Sequence, residues 1–65
     1  MDTRQVTLEK TETDAVAVRY GKCILGAVAK LPFQDLWAAY HDGRLVATAK
    51  TDWAAAYALA TWCGY

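Results

Sequence analysis

The stretch Thr51–Cys63, TDWAAAYALATWC, limits what this chain can fold into more than any other part of it. Alanine and leucine are strong helix formers, no proline interrupts, and no charged residue appears after Asp52. Thr51 or Asp52 supplies the side-chain oxygen that caps free amides at a helix start, Asp52 suits the positive end of the dipole, and Gly64 supplies the stop. At about 100° per residue, Ala55, Ala56, Leu59, Trp62 and Cys63 share one broad side, which reads as core. Trp53, Tyr57 and Thr61 share the other. That second side lacks the polar character of a surface helix, and two readings follow. Either Trp53 folds over a sheet edge into the core with the Tyr57 hydroxyl left in water, or a second copy or another protein covers this face.

The rest of the chain alternates with the period of strands. In residues 3–10, TRQVTLEK, Val6 and Leu8 fall on one side of a half-buried strand, and Thr11–Asp14 reads as a polar turn. A helix starting at Asp14 is the rival reading for AVAVRY. Residues 15–31 form a hairpin around Gly21-Lys22, with Val16, Val18 and Tyr20 on one face and Ile24 and Leu25 on opposite faces. Gly26 lies inside a strand, where glycine marks a bulge or the close approach of another backbone. Pro32–Asp35 breaks the pattern, and Phe33 is expected to plug one end of the core. LWAAY and LVATAK then flank His41-Asp42-Gly43-Arg44, a strong hairpin signal. Strict alternation places Leu45, Ala47 and Ala49 opposite in facing to Val46 and Thr48. The expected fold is α+β: an antiparallel β-meander of four to five strands with one C-terminal α-helix packed on one face, in a single domain over residues 1–65. The other face of the sheet stays open unless something binds it.

Length and charge narrow the function. A chain of 65 residues buries only about 60 % of its unfolded surface, and cores this small rarely supply more than ~3–5 kcal/mol. A deep substrate cavity would remove core the protein needs, so the expectation is a protein that is not an enzyme and calls for no cofactor. Serine is absent, no glycine-rich phosphate loop occurs, and one histidine without a CxxC pair offers no metal site. His41 beside Asp42 is an acid–base pair on paper only, since a general base needs a positioned substrate and a tuned environment. Cys23 and Cys63 read as small buried apolar residues, not as a disulfide framework. No apolar run approaches the ~18 residues of a membrane span, so a soluble, cytoplasmic protein without membrane contact is expected.

Seven basic residues balance seven acidic ones, which removes the general electrostatic argument for nucleic acid. Residues 15–65 nevertheless hold five bases against three acids. In outline, YGKCILGAV, LWAAY, DGRLVATAK and the helix opened by TDWAAA resemble three-stranded-sheet-plus-helix DNA-binding modules of the AP2 and integrase-arm type. That resemblance implies groove contacts from Arg19, Lys22, Lys30, Trp37, Arg44 and Lys50. The chain as a whole is similar in type to the small inhibitors of phages and mobile elements, anti-CRISPR proteins among them, which act by occupying a surface of a host defence complex. This second resemblance fits neutral charge better. It implies a non-enzymatic protein-binding module whose partner is a host protein or complex, with a homodimer through the C-terminal helix as a further option. Tyrosine and tryptophan dominate binding hot spots, so Tyr40, Trp53 and Tyr57 are the candidate contacts, with Asp42 and Arg44 at the hairpin tip.

Overall fold

The structure, a computed structural model, describes residues 5–11 and 14–65. Five strands, β1 (Val6–Lys10), β2 (Val16–Tyr20), β3 (Cys23–Lys30), β4 (Trp37–His41) and β5 (Arg44–Ala49), precede one helix, α1 (Asp52–Trp62). The strands pair in sequence order into one antiparallel sheet. This is the α+β meander with a C-terminal helix that the sequence predicts, and the AVAVRY segment is a strand. Thr3 and Arg4 of the expected first strand, and Glu12 and Thr13 of the expected turn, lie outside the described residues.

Both hairpins close in two residues. Gly21 takes φ 61° between β2 and β3, and Asp42 and Gly43 take φ 52° and 76° between β4 and β5. Positive φ at both central positions matches the right-handed twist of the flanking strands, which explains the Asp-Gly pair.

The helix is capped at both ends. Thr51, extended at φ −131°, accepts a hydrogen bond from the Ala54 amide through Oγ1 at 3.1 Å. The Asp52 carboxylate accepts from the Trp53 amide at 2.7 Å. Gly64, at φ 97°, lets the Tyr65 amide reach back to the Ala60 carbonyl at 3.0 Å.

The helix lies over β3, β4 and β5 and reaches β1. Ala55, Ala56, Leu59 and Ala60 are its buried residues, packed on Val6, Val18, Leu25, Val28 and Ala39 of the sheet. Small helix side chains permit this close layer, and Gly26 permits it from below. A Cβ at Gly26 would overlap the backbone carbonyl oxygen of Tyr40 and sit 3.2 Å from Leu59 Cδ2. The packing role that the sequence assigns to this glycine is thus seen directly.

Two bulges decide which side chains face the helix. Between β2 and β3 the register passes from Val18↔Gly26 to Arg19↔Ile24, leaving Leu25 as the extra residue. Between β4 and β5 it passes from Ala39↔Ala47 to Tyr40↔Leu45, leaving Val46 extra. A bulge opposes two residues to one, so Leu25 with Gly26, and Val46 with Ala47, both serve the helix side. In each pair a large residue precedes a small one that leaves room for the helix.

The bulges and the shape of the helix correct several expectations. Leu45 does not share a face with Ala47, because the extra Val46 breaks the alternation and turns Leu45 to the open side, where it is 54 % exposed. Trp62 is 49 % exposed and not a core anchor, because its ring lies against that of His41 at the end of β4 and is outside the buried cluster. Phe33 plugs nothing. The β3–β4 loop closes on itself through the Leu31 amide and Leu36 carbonyl at 2.9 Å, which leaves Phe33 at the tip with 97 % exposure. Cys23 is exposed, since it opens β3 beside the hairpin turn, and only Cys63 is partly covered.

Candidate interaction surface

Strand pairing assigns the residues of the uncovered face row by row. The middle row runs Glu9, Ala17, Ala27, Tyr40, Leu45 across all five strands. The neighbouring rows hold Ala29, Ala38 and Thr48 on one side and Thr7, Arg19 and Ile24 on the other. A sheet with one solvated face normally alternates apolar inside with polar outside. Here β1 and β2 obey that rule and β3, β4 and β5 do not. Ile24 is 66 % exposed, and with Tyr40 and Leu45 it stands around a floor of alanine methyl groups.

The polar part of the face is tied up. Arg19 Nε lies 3.1 Å from Glu9 Oε2, a diagonal pair across β1 and β2. That Nε is buried and makes no aligned hydrogen bond, so the contact is an ion pair. Lys30 and Asp35 approach at 3.8 Å on the β3–β4 loop, where both side chains are well solvated and the pair adds little.

The residues singled out in the sequence divide between two sides of the molecule. Tyr40 is on the open face, and Asp42 and Arg44 sit at the β4–β5 turn next to it. Trp53 and Tyr57 belong to the helix layer behind the sheet, with ring centroids 5.7 Å apart. Trp53 is 43 % exposed, whereas Tyr57 packs partly against the core. Trp53 therefore does not fold over the sheet edge into the core, as the first reading of the helix side had it, and it is Tyr57 that is partly covered there. These five residues do not make one surface.

The basic set is dispersed as well. Arg19 alone lies on the open face. Trp37 packs on the core under the helix, Lys30 pairs with it across β3 and β4, and Arg44 pairs with His41. Lys22 is in the β2–β3 turn and Lys50 precedes the helix.

His41 has a structural job. Its Nδ1 is 2.7 Å from the carbonyl oxygen of Leu25, the bulge residue. A carbonyl only accepts, so the ring proton is on Nδ1. The imidazole thereby satisfies a backbone group that the irregular ladder leaves over, and its ring lies 5.2 Å from Trp62.

No family model matches the chain, and no curated protein or solved structure matches it. The surface is therefore read from its own chemistry. Among the described residues no group of three or more His, Cys, Asp or Glu side chains gathers as a metal site, and no helix is long and apolar enough to cross a membrane. A shallow concavity of about 380 Å³ lies on the β3–β4 loop between Lys30 and Asp35 and is far from the apolar face's centre at Tyr40 in sequence and character.

Ile24, Leu45 and the alanines were missed as site residues because strict alternation hides them. The signal that finds them is local. In both ILG and LVA, two large apolar residues are followed by a small one, the pattern of a bulge whose second residue lies under the helix.

Proposed function

We propose that this protein is a non-catalytic binding module whose open sheet face docks on another protein. The observation that carries the reading is the group Ile24, Tyr40 and Leu45 around the half-buried Ala17, Ala27 and Ala29, on a face that a monomeric meander would keep polar. Protein interfaces have an apolar centre enriched in aromatics and a polar rim. Tyr40 takes the central place here, with Arg19, Glu9, Asp42 and Arg44 around it. Removing each large side chain from water is worth about 1.5–3 kcal/mol, and the alanine floor adds flat area at almost no side-chain entropy cost.

In biological terms the module is an inhibitor of the kind encoded by phages and mobile elements, acting in the host cytoplasm by occupying a surface of a defence complex. Balanced charge supports a protein partner over nucleic acid. Trp53, on the far layer, is left for a second copy through the helix and is not needed for the docking.

The test is capture from nuclease-treated and untreated lysate with the tagged protein and with Leu45→Glu. A stoichiometric protein that survives nuclease and is lost with Leu45→Glu supports the proposal. Retention of nucleic acid alone, weakening steeply with salt, would replace it with sheet-mediated nucleic-acid binding through Arg19, Lys22, Lys30, Arg44 and Lys50. Loss on Trp53→Ala with no effect of Leu45→Glu would move the surface to the helix.

A further inference from the structure

The sheet ends in two edge strands, and they are protected unequally. Strand order leaves β1 at one edge and β5 at the other. β1 carries Glu9 and Lys10, charges of the kind that discourage a second strand from adding on. β5 has Arg44 at its first position and then the uncharged run Leu45–Ala49, without proline or glycine. Among the described residues no backbone hydrogen bond from a turn, loop or cap reaches β5. The amides and carbonyls on its outer side are therefore open to a further ladder.

The bulge at Val46 gives this edge a symmetry. Val46, Ala47 and Ala49 pack on the core on the helix side, and Arg44 shares that side with its mate His41, whose ring meets Trp62 of the helix. Leu45 and Thr48, paired with Tyr40 and Ala38, face the open side. From either end the strand reads helix side, open side, helix side, helix side, open side, helix side. Two antiparallel copies join well only where each residue meets one of the same facing. A regularly alternating strand of six residues fails that condition about its own centre, whereas β5 meets it about an axis between Val46 and Ala47. An axis through Val46 would set Arg44 against Thr48, and one through Ala47 would set Leu45 against Ala49, each a mismatch of faces.

We infer that two copies of this chain pair edge to edge through β5, antiparallel about the Val46–Ala47 axis, into one continuous sheet with five strands from each copy. Arg44 of one copy then lies opposite Ala49 of the other, Leu45 opposite Thr48, and Val46 opposite Ala47. No like charges stand opposite each other, since Lys50 falls against Gly43. A bulge turns an edge away from a flat foreign strand, but a second copy carries the same bulge and the same twist, which selects it over an arbitrary peptide. Thr48 of the second copy covers the exposed Leu45. The strand edge is a different surface from the open face, so the pairing does not depend on what docks on that face.

An edge pair of this length is at the small end of specific interfaces, so a Kd of about 10–100 µM is expected. Sedimentation of the full chain from ~1 µM to ~1 mM reads it, in reducing buffer so that the exposed Cys23 forms no bridge between copies. In a mixture of labelled and unlabelled protein, isotope-filtered NOEs are expected between the Leu45 and Thr48 methyl groups of different copies. Amides of β5 should gain exchange protection with concentration, and those of β1 should not. Thr48→Lys, at an exposed site, should raise Kd at least ~10-fold at an unchanged urea midpoint, while Trp53→Glu should dimerise as the wild type does. A chain still monomeric at ~1 mM would overturn the inference. So would a dimer whose NOEs come from Trp53 or Ile24 without the Leu45–Thr48 contact, or one lost with Trp53→Glu and kept with Thr48→Lys. Should Thr48→Lys fold poorly, the NOE pattern of the wild type decides alone.

Discussion

Gly26→Ala tests the layer that positions everything else. The added methyl would overlap the Tyr40 carbonyl oxygen of the adjacent strand and press on Leu59 Cδ2 at 3.2 Å. Leu59 can give by a few tenths of an ångström, but the carbonyl belongs to the backbone of β4 and cannot move without disturbing its pairing with β3 and β5. Overpacking costs about 1–3 kcal/mol, and a clash with backbone sits at the upper end. Replacing glycine returns about 0.4–1 kcal/mol through the unfolded chain. The net loss is about 2 kcal/mol, or a fall in Tm of roughly 8–16 °C for a domain this small. Gly43→Ala is the control, since nothing lies within 4 Å of its Cβ and only φ 76° opposes it, at about 1 kcal/mol. Urea and thermal unfolding followed by tryptophan fluorescence measure both. A Gly26→Ala variant within ~0.5 kcal/mol of wild type, or one less damaged than Gly43→Ala, would refute the close-packing argument.

Other outcomes follow from the same contacts. His41→Ala leaves the Leu25 carbonyl without its donor and should cost about 1–3 kcal/mol in urea unfolding. Thr51→Ala removes the acceptor for the Ala54 amide, with an expected loss of about 1 kcal/mol visible in the same assay. Stability should fall in alkali. The Cys63 thiol is held above its ordinary 9.0 by burial, and the Tyr65 phenol above its ordinary 10.0, first by its bond to Cys23 and then by the Cys23 charge. The fold therefore binds these protons more tightly than the unfolded chain. Their contribution is complete below the ordinary values and disappears as pH rises through the folded ones. Urea midpoints compared across this range should decline, and Tyr65→Phe should decline less.

Much of the fold was legible in the sequence because its local signals agree. Asp42-Gly43 demands a tight hairpin, Thr51 and Gly64 bracket an alanine-rich helix, and Gly26 in a strand announces a close neighbour. The open face was legible only as an unfilled place. Its composition depends on two bulges, and a single extra residue such as Val46 transfers Leu45 from one side of the sheet to the other. Trp62 and Phe33 were misplaced for a related reason. Hydrophobicity predicts burial, but Trp62 meets only the His41 ring and stays half exposed, and Phe33 at the tip of the β3–β4 loop stays in water. The pairing of His41 with Leu25, and of Tyr65 with Tyr20, joins residues distant in the chain through side-chain reach that no local pattern encodes.

The central claim is that the apolar sheet face, not the helix, holds the partner. Its most direct test is the affinity of the captured protein for wild type, Leu45→Glu and Trp53→Glu, each first shown to unfold at an unchanged urea midpoint. A charge placed in the apolar centre at Leu45 should weaken binding at least ~30-fold, the scale of a hot-spot residue, while Trp53→Glu leaves it within about threefold. Undiminished binding by Leu45→Glu, or the larger loss at Trp53, would contradict the account.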